Sequence, residues 1–179
     1  MTVDASSREL AYSQALAELK DISANANSLD ELIQQSVEII KSKFDFVFVG
    51  VGFLDATKEY LRRYRGTDGR YQKRMLGLGI NIDNPLTRVI RTGNPCVAHA
   101  TDKNYFANPD FPDERVEFYL PLKTDKGNFG TVEITSTRDS DWDEALQIFP
   151  LLENLVSQVA SACIKWVDDE NIGFWINQD

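Results

Sequence analysis

One segment, residues 115–137 (RVEFYLPLKTDKGNFGTVEITST), constrains the fold more than any other part of this 179-residue chain. Apolar and polar residues alternate on both sides of a polar turn, and this period of two places one apolar row on one face of each strand. Gly127 can take the positive φ that a short hairpin loop needs. If residues 125–127 form the loop, Tyr119 lies opposite Glu133. The segment therefore predicts an antiparallel hairpin with one apolar face and one mixed face.

The elements before the hairpin follow from simple patterns. Apolar residues at helical spacing predict two helices before residue 44, each opened by a Ser-x-x-Glu capping box. Residues 44–54 (FDFVFVGVGFL) are apolar at nearly every position, which predicts a central strand covered on both faces. Within it, Gly50 and Gly52 permit the close approach of a helix or a ligand. The elements expected next are a more polar strand over 59–65, an extended run over 75–82, a helix beginning at Pro85, a strand over 96–100 and a long loop over 101–115.

A long terminal helix should follow the hairpin. From Trp142 to Trp166 the apolar residues recur every three or four positions, and Pro150 is expected to kink or restart this helix. Because three amphipathic helices need an apolar surface to cover, we expect them on the apolar face of the hairpin. The fold class is then α+β, with a central antiparallel sheet, terminal helices on one face, and a short helix plus long loops over the other. The expected divisions are an N-terminal helix over 1–27, a main domain over 28–167 and a tail over 168–179.

These residues carry a family resemblance. Val-Glu-Phe-Tyr-Leu-Pro-Leu, a polar turn and then Phe-Gly-Thr-Val-Glu-Ile resemble the signature of GAF domains, and LTRVIRTGNPCV (residues 86–97) is similar to the family's short helix followed by Thr-Gly-x-Pro. The order of elements matches from about residue 29 to 167. The resemblance implies a GAF-like, PAS-related fold that binds a small molecule in a pocket between the sheet and the 66–114 loops. It also implies a homodimer formed through the terminal helices, acting in signal transduction.

Composition and charge restrict the classes of partner and cofactor that this chain can have. The net charge of −9 disfavours nucleic acid and anionic membranes, which attract positive surfaces. There is no apolar signal segment at the N-terminus and no apolar run long enough to span a bilayer, so we expect a cytoplasmic protein. Two cysteines, Cys96 and Cys163, make neither a disulfide framework nor a metal spacing, and a single histidine excludes a multi-histidine metal site. No cofactor can be named from the sequence.

An enzymatic alternative depends on Cys96. It lies three positions before His99, and strand residues three apart point to opposite faces, which argues against a nucleophile–base pair. A buried, inert cysteine is the favoured interpretation. The chain lacks the cysteine-rich motif of the GAF proteins that reduce free methionine sulfoxide, and Val97 follows Cys96 where bilin-attaching domains have His. We therefore expect a non-enzymatic sensor, with a thiol-dependent reductase using Cys96 or a ligand-free dimerisation or adaptor module as alternatives.

The candidate ligand-binding residues lie on the predicted strands and the long loop. A Lys/Arg-rich segment over 58–74 favours either an anion contact through Tyr64 and Arg65, or a solvated face that pairs with the surplus acids. Glu133, if buried, needs a donor such as Tyr119 or His99, or a cationic ligand group. The full set expected at the ligand is Phe48, Tyr64, Arg65, His99, Tyr105, Phe106, Tyr119 and Glu133.

Overall fold

The computed structural model describes residues 5–67, 77–102, 105, 111–125 and 127–166. Its helices are α1 (Ala5–Asn25), α2 (Leu29–Phe44), α3 (Pro85–Thr92), α4 (Ser140–Asp143) and α5 (Ala145–Cys163). Its strands are β1 (Phe48–Leu54), β2 (Tyr60–Gly66), β3 (Gly77–Gly79), β4 (Cys96–His99), β5 (Val116–Thr124) and β6 (Gly127–Ser136). The strands pair antiparallel in the order β3-β2-β1-β6-β5-β4.

The β5–β6 hairpin lies in the body of this sheet, with β6 between β5 and β1. Tyr119 pairs with Glu133, as the sequence predicts. Gly127 has a φ of 127°, also as predicted. The loop is one residue shorter than expected, because Gly127 already pairs with Thr124. A register irregularity after Leu122 absorbs the extra residue on β6.

The apolar face of the sheet packs against α1, α2 and α5, which confirms the predicted layers. The alternate residues of β1, β5 and β6 on this face join one core cluster with Leu19 of α1, Ile33 of α2 and Leu152 of α5. Burial of each large apolar side chain contributes about 1.5–3 kcal/mol, so this layer is the main source of stability. The strand residues concerned are Val49, Val51, Phe53, Val116, Phe118, Leu120, Leu122, Val132 and Ile134.

Helix α3 packs on the opposite face. Asn84 and Thr87 form a reciprocal capping box at its start, Pro85 is in its first turn, and Gly93 ends it in the left-handed region with a φ of 69°. Ile90 joins Leu54 and Leu61 in a small buried cluster. The predicted helix beginning at Pro85 is therefore confirmed, and it lies on the face of the sheet opposite α1, α2 and α5.

The terminal helix does not restart at Pro150, one of the two outcomes predicted there, and its break lies at Glu144. Asp141 is almost fully buried, and its carboxylate accepts a hydrogen bond from Ser136 Oγ at 2.5 Å, which ties the short helix α4 to the end of β6. Pro150 is accommodated within α5. The carbonyl that its missing N–H would have bonded belongs to Leu146, whose side chain is 89% exposed, so water can reach that turn.

Helix α1, predicted as a separate N-terminal segment, shares a core with the main domain, because Ala15, Leu19 and Ile22 belong to the same core cluster as residues of the 28–167 segment. The predicted tail over 168–179 lies outside the described residues. Within the described ranges, every helix is too short or too polar to cross a lipid bilayer.

Candidate functional site

The strand residues that alternate with the apolar row form a second, polar face. Glu117 and Tyr119 of β5 lie on it, and they pair with Thr135 and Glu133 of β6. Thr131 continues the row on β6. Because α1, α2 and α5 cover the apolar face, these five side chains lie on the side of the sheet that carries α3. We call these five residues the acidic face.

The acidic face is buried. Glu117 is 3% exposed and Glu133 is 7% exposed, and Glu114, just before β5, is 3% exposed. Thr131 and Thr135 are fully buried between the strands. Carboxyl groups are seldom placed in such surroundings, because burial of an ionised carboxylate is costly. A cluster of this kind requires a compensating function or partner.

The buried position of Glu117 changes the pKa of its carboxyl group. Burial raises the pKa of Glu117 to about 8, and the neighbouring Glu133 carboxylate acts in the same direction. The Tyr119 hydroxyl donates a hydrogen bond to Glu117 Oε2, which acts in the opposite direction, but it does not outweigh burial. Burial and the charge of Glu117 also raise the pKa of Tyr119 well above its ordinary value. Near neutral pH a large fraction of Glu117 is therefore protonated.

Aromatic rings border the acidic face. The ring of Phe48 packs on Phe111 with centroids 5.0 Å apart, and Phe48 pairs with Thr135 across β1 and β6. Tyr105 is half-buried, and burial together with the Glu117 charge raises the pKa of Tyr105 well above its ordinary value. On β1, the residue opposite Glu133 is Gly50, so no β1 side chain stands beside that carboxylate.

The structure brings some of the expected ligand residues together and separates others. Phe48, Tyr119 and Glu133 share the face of the sheet described above, and Tyr105 lies near enough for the charges of Glu117 and Glu133 to act on it. Phe106 lies outside the described residues. Whether these residues bind a ligand stays a prediction.

Tyr64 and Arg65 are on the other side of the sheet. Both side chains bond the carboxylate of Asp30 on α2, and Tyr64 belongs to the helix-side core. The physical reason is a register irregularity between Val51 and Gly52, which gives β2 one extra residue there. Their expected place at the ligand is corrected accordingly. Most of the remaining Lys/Arg segment, from residue 68 to 74, lies outside the described residues.

His99 is also on the helix side. It pairs with Val116, a member of the apolar row, and its ring packs near Trp142 with centroids 5.3 Å apart. Its Nε2 lies 3.1 Å from Asp139 Oδ1. His99 therefore does not donate a hydrogen bond to Glu133, which corrects its expected place at the ligand. The expected donor from Tyr119 to Glu133 is likewise corrected, because the Tyr119 hydroxyl bonds Glu117.

The two cysteines are free and lie apart in the fold. Cys96 pairs with Tyr119 and so belongs to the side of the acidic face, whereas Cys163 lies in the helix-side core. Burial raises the pKa of Cys163 to about 12. Burial also raises the pKa of Cys96, with Arg88 acting in the opposite direction. Both thiols are therefore held in the neutral form, which is a poor nucleophile.

Four buried residues of this site, Glu114, Glu117, Thr131 and Thr135, are absent from the set expected from the sequence. Glu117 shares strand parity with Tyr119, so alternation alone was a sufficient signal to include it. Glu114 precedes the strand, and no periodic pattern places its side chain.

Comparisons with known proteins establish the fold. No protein-family model matches the sequence, and no curated protein matches it. The A. aeolicus nlh2 GAF domain in an inactive state is similar in structure, with a TM-score of 0.76 at 11% identity over 89% of this chain and 99% of that one. The GAF domain from an Acinetobacter phosphoenolpyruvate-protein phosphotransferase is also similar, with a TM-score of 0.69 at 12% identity over 86% of this chain and 93% of that one.

A solved enzyme is also similar in structure. The free methionine-R-sulfoxide reductase from Neisseria meningitidis, in complex with its substrate, gives a TM-score of 0.70 at 16% identity over 93% of this chain and 97% of that one. At these identities the similarity is one of fold. The same architecture therefore occurs in GAF domains and in a reductase.

Proposed function

We propose that this chain, which has the GAF-domain fold, is a non-enzymatic sensor or regulatory domain that binds a small molecule on the acidic face and signals as a homodimer. The single observation that supports it most is the polar composition of a buried sheet face. On the face opposite the apolar row, Glu117, Tyr119 and Glu133 are buried side by side. A face that served only for packing would be apolar, because buried carboxyls lower the stability of a domain.

The dimer part of the proposal draws on the terminal helices. Leu10 of α1 is 59% exposed and Leu146 of α5 is 89% exposed. Ile164, directly after α5, is 53% exposed. Large apolar side chains exposed on adjacent helices are typical of contact surfaces. The cytoplasmic location stays a prediction.

The reductase alternative requires Cys96 as a nucleophile. Its position across from Tyr119 favours this alternative, because the thiol lies on the side of the acidic face. Its raised pKa counts against it, because attack on a sulfoxide needs the thiolate. A reductase of this kind would show thiol-dependent turnover of free methionine sulfoxide that is lost in Cys96→Ser. The sensor proposal expects no turnover in either protein.

Native mass spectrometry of the purified full chain tests the proposal. We expect a dimer that carries an additional small mass, and we expect the added mass to disappear on denaturation. The Glu117→Leu variant should lose the added mass but keep the dimer, whereas Glu59→Leu, at an exposed position just before β2, should keep both. A bare monomer that no metabolite extract converts to a ligand-bound form would refute the proposal. A bare dimer that stays bare would favour the adaptor alternative.

A further inference from the structure

Thr135 carries a buried hydroxyl with no hydrogen-bond partner among the described residues. The residue is fully buried, and it pairs with Glu117 on one side and with Phe48 on the other. Its side chain therefore lies on the acidic face between a carboxyl group and an aromatic ring. Buried hydroxyls nearly always have a partner, and an exception requires an explanation. One such explanation is a bound ligand that supplies the missing hydrogen bond.

The neighbouring groups define what such a ligand must bring. The Tyr119 hydroxyl already donates a hydrogen bond to Glu117 Oε2, so the Tyr119 oxygen and the ionised form of Glu117 can only accept further hydrogen bonds. Glu133 and Glu114 add negative charge near Glu117, and both raise its pKa. Arg63 on β2 acts in the opposite direction but has the smallest effect of these groups. A ligand that fits this environment donates hydrogen bonds and is positively charged.

A metal ion does not meet these conditions as well as an organic cation. In the part of the chain that the structure describes, no three His, Cys, Asp or Glu side chains are grouped closely enough to hold a metal. Carboxylates spread along a sheet face are better matched by a molecule with several N–H groups. We propose that the acidic face binds a small organic cation bearing a primary ammonium or guanidinium group, with Thr135 Oγ1 and the Glu117 carboxylate as its acceptors.

The aromatic border suits the rest of such a molecule. Phe48 is adjacent to Thr135 on the same face and packs on Phe111, so an apolar portion attached to the cationic group can lie against these rings. Aromatic faces also attract cations directly. This inference rests on the proposed function and specifies the ligand class of the same site.

Thermal unfolding of the full chain near pH 7.5 tests it with matched probes. Benzylamine and agmatine represent the cations, benzyl alcohol is a neutral analogue and benzoate an anionic one. The expected result is that the two cations raise the melting temperature in a saturable way, while the neutral and anionic analogues leave it unchanged. Glu117→Gln should weaken cation binding by at least roughly tenfold, because it removes a charge-assisted hydrogen bond. Glu153→Gln should leave binding unchanged.

Thr135→Val separates a ligand contact from a structural role. Valine has nearly the shape of threonine and removes only the unpartnered hydroxyl, so the free protein should melt about 2–4 °C higher. The same variant should bind the cations about three- to tenfold more weakly. Thr67→Val is the matched control. Thr67 Oγ1 accepts a hydrogen bond from the Val49 amide at 3.2 Å, so this variant should melt lower and bind the cations normally.

Each contrary outcome has a defined meaning. If the neutral or anionic analogue stabilises the chain as strongly as the cations, or if Thr135→Val binds the cations normally, the inference is wrong and the proposed ligand-binding function stands. If none of these compounds stabilises the chain, the inference is wrong, and the native mass spectrometry described above decides the proposed ligand-binding function separately.

Discussion

The free energy of unfolding of the wild-type chain is expected to fall by a few kcal/mol between about pH 5 and pH 8, and Glu117→Gln is expected to remove most of that fall. The direction follows from the pKa of Glu117, which has an ordinary value of 4.5 and is raised to about 8 in the folded chain. Between these values the folded chain holds a proton that the unfolded chain has released. Raising the pH therefore favours the unfolded chain.

The magnitude depends on the groups that face Glu117. Each pH unit within this window changes the stability by about 1.4 kcal/mol for one proton. Glu133 and Glu114 strengthen the effect, whereas the Tyr119 hydroxyl and Arg63 weaken it. Tyr105 and Cys96 are also affected by the Glu117 charge, but their own raised pKa values keep them neutral throughout this range.

Urea unfolding at a series of pH values measures the effect. Glu117→Gln should match the wild type near pH 5 and be the more stable protein near pH 8, because glutamine resembles the protonated acid and cannot ionise. Glu153→Gln, at an exposed position, should follow the wild type at every pH. A wild-type stability that is constant or rises from pH 5 to pH 8 would show that Glu117 is not buried as described.

Gly130→Ala is expected to destabilise the chain by about 3 kcal/mol or more, a large part of the stability of a typical domain. Gly130 lies on β6 beside β1. A Cβ there would be 2.5 Å from the carbonyl oxygen of Gly52 and 2.9 Å from Phe53 Cδ1. The first of these is a backbone atom in the neighbouring strand, so relief requires the central β1–β6 pair to separate.

Gly79→Ala provides the control, since a Cβ at Gly79 meets its nearest atom at 3.8 Å. This variant on the edge strand β3 should change the free energy of unfolding by no more than about 0.5 kcal/mol. The two variants are compared by urea unfolding under one condition. Equal midpoints would mean that β1 and β6 are less closely paired at Gly130 than the structure indicates.

Local patterns in the sequence predict much of this fold. Alternation places Tyr119 opposite Glu133 because the hairpin partners are close in sequence and the turn restricts their register. The capping residues at Asn84 and Gly93 define α3 for the same reason, since each acts within one turn of the helix. Predictions of this kind depend on neighbouring residues alone.

The errors occur where distant segments set the geometry. Tyr64 and Arg65 reach Asp30 because of a register irregularity in the β1–β2 pair, and no local pattern marks it. His99 lies on the helix side because β4 pairs with β5 in a register that sets it opposite Val116. The break at Glu144 depends on how Asp141 is held by the end of β6.

The candidate site contains one residue that a local sequence pattern predicts and one feature that only the folded chain reveals. Glu117 was predictable from its parity with Tyr119. The missing partner of the Thr135 hydroxyl was not, because it depends on every group that surrounds that atom in the folded chain. The sequence therefore predicts which face of the sheet is polar, and the structure adds which atoms on that face remain to be satisfied.

Nuclear magnetic resonance of the full chain with carbon-13-labelled threonine methyl groups tests the ligand site most directly. On titration with a mixture of benzylamine, agmatine and 1,4-diaminobutane, the methyl signals of Thr131 and Thr135 should shift and saturate. Thr57, in the exposed turn before β2, should not shift, and Glu117→Gln should move the midpoint of the titration to an at least roughly tenfold higher ligand concentration. Unchanged signals from Thr131 and Thr135, or equal shifts throughout the chain, would contradict a ligand site on the acidic face.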